Sequence, residues 1–165
     1  MTRIIGAVVL ASLALAASEA DANELLGTVV PAFPYGIFED GGTCTGDDGP
    51  DMCRRAVIIL KTSDGRDFLI FSGSKESMME KKPRWRVVDA IAFPVIPANR
   101  ELVWTDCRKS GAPDASVIAL VRSDPKREWL RARDWAYRVD DSTGKFVKLD
   151  PKDVDCANPA LDDED

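Results

Sequence analysis

Four cysteines, spread over the middle and C-terminal parts of the chain, restrict the folds that it can adopt. They are Cys44, Cys53, Cys107 and Cys156. Their spacings of 9, 54 and 49 residues contain no close pair of the kind that structural zinc sites use. An even number in a small exported domain predicts two disulfides, and four cysteines allow three pairings. We favour Cys44–Cys53, which closes a turn-rich loop, and Cys107–Cys156, which ties the C-terminal segment to the middle of the domain.

The N-terminal 22 residues predict the exported compartment in which such disulfides form. A cationic start at Arg3 precedes an uncharged apolar run over residues 4–17, and residues 20–22 offer an A-x-A cleavage site. This run of 14 residues is shorter than the roughly 20 that a transmembrane helix needs. We therefore predict a cleavable signal peptide at 1–22, no retained membrane anchor, and a periplasmic or secreted mature protein.

Composition and charge exclude several classes of function. The chain has 165 residues, is 45% hydrophobic and 30% charged, and carries 22 cationic against 28 anionic side chains. These values are typical of one globular domain. The net charge of −6 argues against a nucleic-acid-binding protein. The absence of histidine removes most general-base and metal-ligand arrangements, so we expect no cofactor.

The hydrophobic pattern predicts a mostly β or α+β domain, with a small antiparallel sheet built from hairpins. The apolar runs 56–61 and 67–71 flank Asp64-Gly65, a sequence typical of a hairpin turn. Both runs are continuous rather than alternating, which indicates that both faces are covered. A second hairpin is predicted over residues 135–149, with its turn at 140–144.

The remaining segments predict short strands and one or two short helices. Strands are expected at 27–30, 85–93, 101–107 and 116–121, and an extended loop at 31–36 carries the aromatic anchors Phe33 and Tyr35. Residues 74–84 are expected to form one helical turn or a loop. Asp124-Pro125 is a typical helix start, which predicts a short helix over 125–133, with continued strand as the alternative. The globular domain is predicted to span 23–156, and 157–165 to form a disordered acidic tail.

One catalytic motif occurs. Ser72-Gly73-Ser74-Lys75 fits S-x-x-K, in which a serine at a helix start loses its proton to a lysine one turn later. The partner motifs of that enzyme class are missing, since no S-x-N element follows. Asp140 and Asp141 form a carboxylate pair, but they lie in a predicted turn with no apolar pocket to raise a pKa.

Two further groups of residues indicate binding rather than catalysis. Asp47, Asp48 and Asp51 offer oxygen ligands to Ca²⁺, although aspartates in such a Gly-rich segment more often make turns. Residues 75–138 contain 14 cationic and 9 anionic side chains on an otherwise acidic chain. The predicted binding surface for anionic envelope polymers consists of Lys81, Lys82, Arg84 and Arg86, with Lys75, Arg127, Arg131 and Arg133 as further members.

The four tryptophans are predicted to belong to the hydrophobic core rather than to an exposed surface that stacks on sugar rings. Trp85, Trp104 and Trp135 fall within apolar strand patterns, whereas Trp129 does not.

The C-terminal half, about residues 66–158, resembles a group of small exported bacterial proteins that have no assigned activity. The resemblance is carried by 85–89, 102–107, 118–121 and 135–156. It implies one domain and a Cys107–Cys156 link, and it transfers no catalytic residue and no ligand.

These observations together favour an exported, non-enzymatic domain that binds a protein or polymer of the cell envelope. One specific alternative is an inhibitor of a cationic envelope enzyme such as lysozyme, since an acidic partner associates faster with a cationic one. The other alternative is a small serine hydrolase that uses Ser72 and Lys75.

Overall fold

The computed structural model describes residues 22–45 and 53–161 as two antiparallel β-sheets with two disulfides, which confirms the predicted fold class. The strands are β1 Val29–Val30, β2 Ile37–Thr45, β3 Arg55–Thr62, β4 Asp67–Met79, β5 Lys82–Ala92, β6 Arg100–Trp104, β7 Cys107–Lys109, β8 Ala112–Pro113, β9 Val117–Arg122, β10 Trp129–Val139, β11 Phe146–Lys148 and β12 Val154–Ala157. One helical turn covers residues 22–25, and 3-10 turns occur at Pro151–Asp153 and Pro159–Leu161.

The first sheet has the strand order β1-β5-β4-β3-β2 and contains the predicted Asp64-Gly65 hairpin between β3 and β4. Gly65 has a φ of 82°, which suits glycine, and its N–H donates to the Thr62 carbonyl at 2.8 Å. In β3, Ile58 belongs to one apolar cluster and Ile59 to another on the opposite face. The continuous apolar runs therefore reflect a sheet that is covered on both faces, as the sequence predicts.

Residues 22–36 cover the first of these faces. Leu25 and Val30 are buried there against Phe71 and Trp85, and Phe33 packs at the edge of the same cluster. Of the two predicted aromatic anchors in this segment, Phe33 is therefore confirmed. Tyr35 is not an anchor, because its side chain is fully exposed.

The second sheet has the order β6-β9-β10-β12-β7-β8, with β11 paired to β10. It curls, because β7 and β12 also contact β9. Its inner face encloses a cluster that contains the Cys107–Cys156 disulfide and the small side chains Ala119, Ala132 and Ala136. Small residues at these positions let the strands approach closely enough for the sheet to curl.

The outer face of the second sheet packs on the first sheet. Val57, Ile59 and Ile70 of the first sheet meet Ile118 and Val139 of the second. Aromatic side chains surround this contact, and they are Phe93, Trp104, Trp135, Tyr137 and Phe146. Interdigitated side chains from two facing sheets form the usual core of a β-sandwich.

One predicted element is wrong and two hold only in part, since the continued-strand alternative at 125–133 is found from Trp129 and the strand over 101–107 is found at 101–104. Residues 74–84 form neither a helical turn nor a loop, but the far end of the β4–β5 hairpin. The helix over 125–133 is replaced by a turn and then β10: Asp124 caps that turn by accepting the Lys126 N–H at 3.1 Å, but no second helical turn follows. The strand over 101–107 is interrupted at Thr105, whose φ of 72° separates β6 from β7.

The last described residues, 157–161, still belong to the folded domain. Ala157 pairs with Trp129, and Asn158 is buried, with its side-chain amide donating to the carbonyls of Asp124 and Arg127. These contacts extend the fold to Leu161, beyond the predicted limit of 156. Residues 1–21 of the predicted signal peptide and 162–165 of the predicted tail lie outside the described residues. In the two described ranges, no helix is long and apolar enough to cross a bilayer.

Candidate anion-binding surface

The outer face of the second sheet has two chemically different halves. One half is the apolar surface that packs on the first sheet, and the other is not covered by that sheet. β9 shows the change within one strand: Ile118 and Leu120 are buried, whereas Arg122, which points the same way by strand alternation, is exposed. The fold therefore covers part of this face and leaves the rest to solvent.

Strand register places charged residues side by side on the uncovered half. Arg100 of β6 faces Arg122 of β9. Arg131 of β10 faces Asp155 of β12, and Asp155 in turn faces Arg108 of β7. Residues that face each other in antiparallel strands have their side chains on the same side of the sheet. The result is a row with four arginines and one aspartate.

A groove of about 620 Å³ runs along this half of the face. Its charged lining residues are Arg122, Arg127, Arg131, Arg133 and Asp124. Asp124 is the only acid among them, and it is paired with Arg127 at 3.2 Å. The groove therefore presents three arginines whose charge its own lining does not balance.

A second depression of about 390 Å³ continues the groove, because it shares Arg131 and Arg133. It adds Lys148 and Lys152 and two acids, of which Asp134 is paired with Arg100 and Asp150 keeps its charge. Asp134 binds the Arg100 guanidinium at 2.9 Å, and Asp150 accepts the backbone N–H of Lys152 at 3.0 Å. We call the cations of both depressions the basic band, namely Arg122, Arg127, Arg131, Arg133, Lys148 and Lys152.

Five of these six cations have no ion-pair partner among the described residues. Apart from Arg127, their side chains form neither an ion pair nor a hydrogen bond with any residue of 22–45 and 53–161. Asp155 lies next to Arg131 in register, but it does not neutralise it. Its two oxygens accept hydrogen bonds of 2.8 and 2.6 Å from Arg108, which raises the pKa of the Arg108 guanidinium.

The same pair fixes one end of the charged row. The Arg108 guanidinium lies 3.5 Å from the ring centre of Trp129, a cation–π contact. Trp129 therefore has a role of its own, while Trp85 is buried in the core and Trp104 and Trp135 pack at its edge. The prediction that the tryptophans belong to the core is therefore confirmed for Trp85, Trp104 and Trp135, and it is wrong for Trp129.

A bulge in β10 shapes the middle of the band. The pairing of β10 with β9 shifts between Ala132 and Ala136, and Asp134 has a φ of 65°. Such a bulge bends its strand and redirects side chains. Here Arg133 and Asp134 are both exposed, and Asp134 is turned towards Arg100.

The S-x-x-K motif does not form a catalytic pair. Ser72 lies inside β4, where the motif would need a helix start, and it is buried with its hydroxyl donating to the Gly144 carbonyl at 2.6 Å. Lys75 is three residues further along the strand, so its side chain leaves the opposite face and is exposed.

Ser72 instead belongs to a polar contact between the sheets, which we call the latch. Arg55 donates to the Asp141 carbonyl at 2.6 Å, and Asp89 accepts the backbone N–H of Phe146 at 2.8 Å. With Ser72 and Gly144, these residues hold the 140–144 turn of the second sheet against the first sheet. Gly144 has a φ of 74°, a backbone conformation that other residues rarely adopt, so this position favours glycine.

The carboxylate pair Asp140/Asp141 is divided between structural roles. Asp140 accepts hydrogen bonds from the backbone and hydroxyl groups of Ser142 and Thr143, which hold its pKa well below the ordinary value of 3.8. Asp141 accepts from Ser116 at 3.3 Å and from Arg138 at 3.4 Å. The lowered pKa of Asp140 is the opposite of the raised pKa that a general acid needs.

The cationic residues predicted as one binding surface lie on two different sheets. Lys81, Lys82, Arg84 and Arg86 all belong to the β4–β5 hairpin of the first sheet. Arg84 donates to the Pro31 carbonyl at 3.2 Å, and Arg86 binds Glu76 at 2.7 Å, so both of these arginines have partners. Arg127, Arg131 and Arg133 are the part of the prediction that the structure brings together in the basic band.

The predicted Ca²⁺ ligands Asp47, Asp48 and Asp51 lie outside the described residues. Among the residues that the structure does describe, no three His, Cys, Asp or Glu side chains are grouped as a metal site would require.

Comparison of the chain with protein-family models, with curated proteins and with solved structures finds no match.

The sequence analysis did not identify Arg122, Lys148 and Lys152 as members of the basic band. Arg122 was predictable from the sequence, because it follows Ile118 and Leu120 in strand alternation at the end of a buried strand. Lys148 and Lys152 were not, since only the pairing of β10 with β11 and β12 brings their segments to Arg131.

Proposed function

We propose that this protein is a non-enzymatic binding domain that holds an anionic polymer outside the reducing cytoplasm. The observation that carries the proposal is the basic band, a continuous track of six cations, five of which form no ion pair among the described residues, on a chain of net charge −6. The two disulfides suggest an oxidising, extracellular environment, where envelope polymers are accessible.

The arrangement of these cations supports a ligand-binding role because it does not help the fold. Like charges that face each other across strands destabilise a sheet, and Arg100 faces Arg122 directly. Solvent-exposed positions of a sheet accept many polar residues. Alternating acids and bases at these positions would destabilise the sheet less than adjacent arginines do. Cations concentrated at such positions are expected where an anionic ligand completes the charge balance.

The shape of the band favours a chain-like ligand over a compact one. The two depressions share Arg131 and Arg133, so an extended ligand can follow both without leaving the cations. Arginine side chains bind carboxylate, sulfate and phosphate groups through paired hydrogen bonds, so the shared chemistry is a repeating oxyanion.

The test replaces Arg131→Gln and Arg133→Gln together and measures binding to immobilised dextran sulfate, with uncharged dextran as the reference polymer. Hydrogen bonds to charged groups contribute about 1.5–3 kcal/mol each, so we expect binding to weaken by at least about tenfold. Binding of the unmodified protein should also fall as salt concentration rises.

The matched control is Lys81→Gln with Lys82→Gln, which removes the same charge from the first sheet. It should change dextran sulfate binding by less than about twofold, because the proposed contacts are in the basic band, whereas nonspecific attraction depends mainly on net charge and would weaken equally in both double variants. Equal losses in the two double variants, or equal binding of charged and uncharged dextran, would contradict the proposal.

A further inference from the structure

The far end of the β4–β5 hairpin is a second exposed feature, independent of the basic band. We call residues 75–84 the arm. β3 pairs with β4 only up to the Arg55–Ser74 pair, whereas β4 and β5 continue to pair as far as Met79 and Lys82. The last part of the hairpin is therefore a two-stranded ribbon, and its residues 75–82 are all exposed.

The tip of the arm carries two exposed methionines. Met78 is 55% exposed and Met79 is 47% exposed. Because successive strand residues point to opposite sides, the two side chains lie on opposite faces of the ribbon. A flat protein surface could cover only one of them, whereas a fluid apolar layer entered end-on would bury both.

Cations surround these methionines. Lys75, Lys81 and Lys82 are exposed and form no ion pair within the described ranges, and they outnumber the free acid Glu80. Glu76 is not available, because its carboxylate is paired with Arg86 at 2.7 Å. Lysine side chains can keep their ammonium groups in water while their alkyl chains follow an apolar surface.

The turn at the tip is held in a conformation that side chains rarely adopt. Glu80 and Lys81 have φ values of 48° and 69°, the two-residue turn that tightens a hairpin and usually contains glycine or asparagine. At the base, Arg84 and Arg86 bind the carbonyls of Pro31 and Gly27, which fixes the arm to the sheet.

We infer that the arm inserts its tip into the surface of a lipid bilayer with anionic headgroups. Met78 and Met79 would enter the boundary of the acyl chains from the two faces of the ribbon, while Lys75, Lys81 and Lys82 contact the headgroups. Apolar burial combined with attraction of basic residues to anionic lipid is the usual basis of reversible interfacial binding.

The test measures cosedimentation of the full chain with vesicles made of equal parts phosphatidylglycerol and phosphatidylcholine. Met78→Ser with Met79→Ser should lower the bound fraction by about tenfold, without changing any charge. The matched control is Val95→Ser with Ile96→Ser, an exposed apolar pair that lies outside the arm, with Val95 89% exposed. This control should bind vesicles as the unmodified protein does.

A charge variant at the tip tests the headgroup contacts, while the methionine variant, which changes no charge, separates insertion from simple electrostatic attraction. Glu80→Gln removes the tip's free acid and should strengthen vesicle binding by about fivefold. The methionine variant should still bind dextran sulfate normally, so failure of the membrane inference and failure of the polymer proposal are distinguishable. Unchanged vesicle binding in the methionine variant, or equal losses in the Val95/Ile96 control, would overturn the inference.

Discussion

The covered and uncovered halves of the second sheet's outer face show how one surface serves two purposes. In the covered half, Ile118 and Val139 are buried against the first sheet, and aromatic side chains close the edges. In the uncovered half, Arg122 and Arg131 continue the same strands into solvent. Both halves belong to the same strands, so contact with the first sheet explains the apolar residues of the covered half. Nothing in the packing of the sheets requires arginines in the uncovered half.

The boundary between the two halves has its own chemistry. Arg100 lies there on β6, two residues before Leu102, and its side chain is only 18% exposed. One of its nitrogens binds Asp134, while Nε and Nη1 have no hydrogen-bond partner among the described residues. A partly buried guanidinium with unused donors costs stability. The transition from core to basic band is therefore not optimised for folding alone.

The largest expected effect is a difference in unfolding free energy between substitutions in the covered half and in the uncovered half. Ile118→Ala removes a side chain that is 1% exposed, and a cavity in a packed core costs about 2–5 kcal/mol. Arg122→Ala, in the same strand and on the same face, should change the free energy of unfolding by less than about 0.5 kcal/mol. Urea unfolding of the two variants measures this difference, and similar losses would show that the uncovered half also supports the fold.

A smaller effect is expected at the latch, which holds the 140–144 turn against the first sheet. Ser72→Ala leaves the Gly144 carbonyl without its buried hydrogen bond, and such a loss costs about 1–3 kcal/mol. Ser74→Ala, two residues along the same strand and partly exposed, is the control and should be close to neutral. If urea unfolding shows the same stability for both variants, the latch does not hold the sheets together.

Local sequence signals predicted the parts of the fold that depend on neighbouring residues. The Asp64-Gly65 turn, the buried runs around it and the turn at 140–144 each follow from a few adjacent residues, and all are present. The disulfide pairing was also predictable, because Cys44–Cys53 closes a short loop and leaves one partner for Cys107.

Features that depend on distant residues were not predictable in this way. Residues 75–79 have a polar pattern without strand alternation, and they form a strand because β5 pairs with them beyond the end of β3. Asp124-Pro125 is a good helix start, yet residues 129–133 pair with β9 and β12 instead. Sheet pairing overrides the local preference in both cases, and it also assembles the basic band.

The smallest expected effect concerns pH and the turn on which the latch depends. The folded protein holds the pKa of Asp140 below its ordinary value of 3.8, chiefly through hydrogen bonds from Ser142 and Thr143. A depressed pKa contributes stability that is present above the unfolded value and is lost as pH falls through the folded value. Stability should therefore decrease as pH drops below about 4, and Asp140→Asn should make the acid limb shallower.

Thermal unfolding at pH 7 and at several values below 4 measures this slope. Thr143→Val keeps the carboxylate but removes one hydroxyl that donates to it at 2.9 Å, so it should flatten the acid limb only in part. The Gly144 N–H donates to the Asp140 backbone carbonyl at 2.7 Å, and neither substitution removes this bond, so the turn itself should be preserved. An unchanged acid limb in Asp140→Asn would mean that other carboxylates set the pH dependence. The charge of Asp140 would then contribute nothing to the stability of the latch.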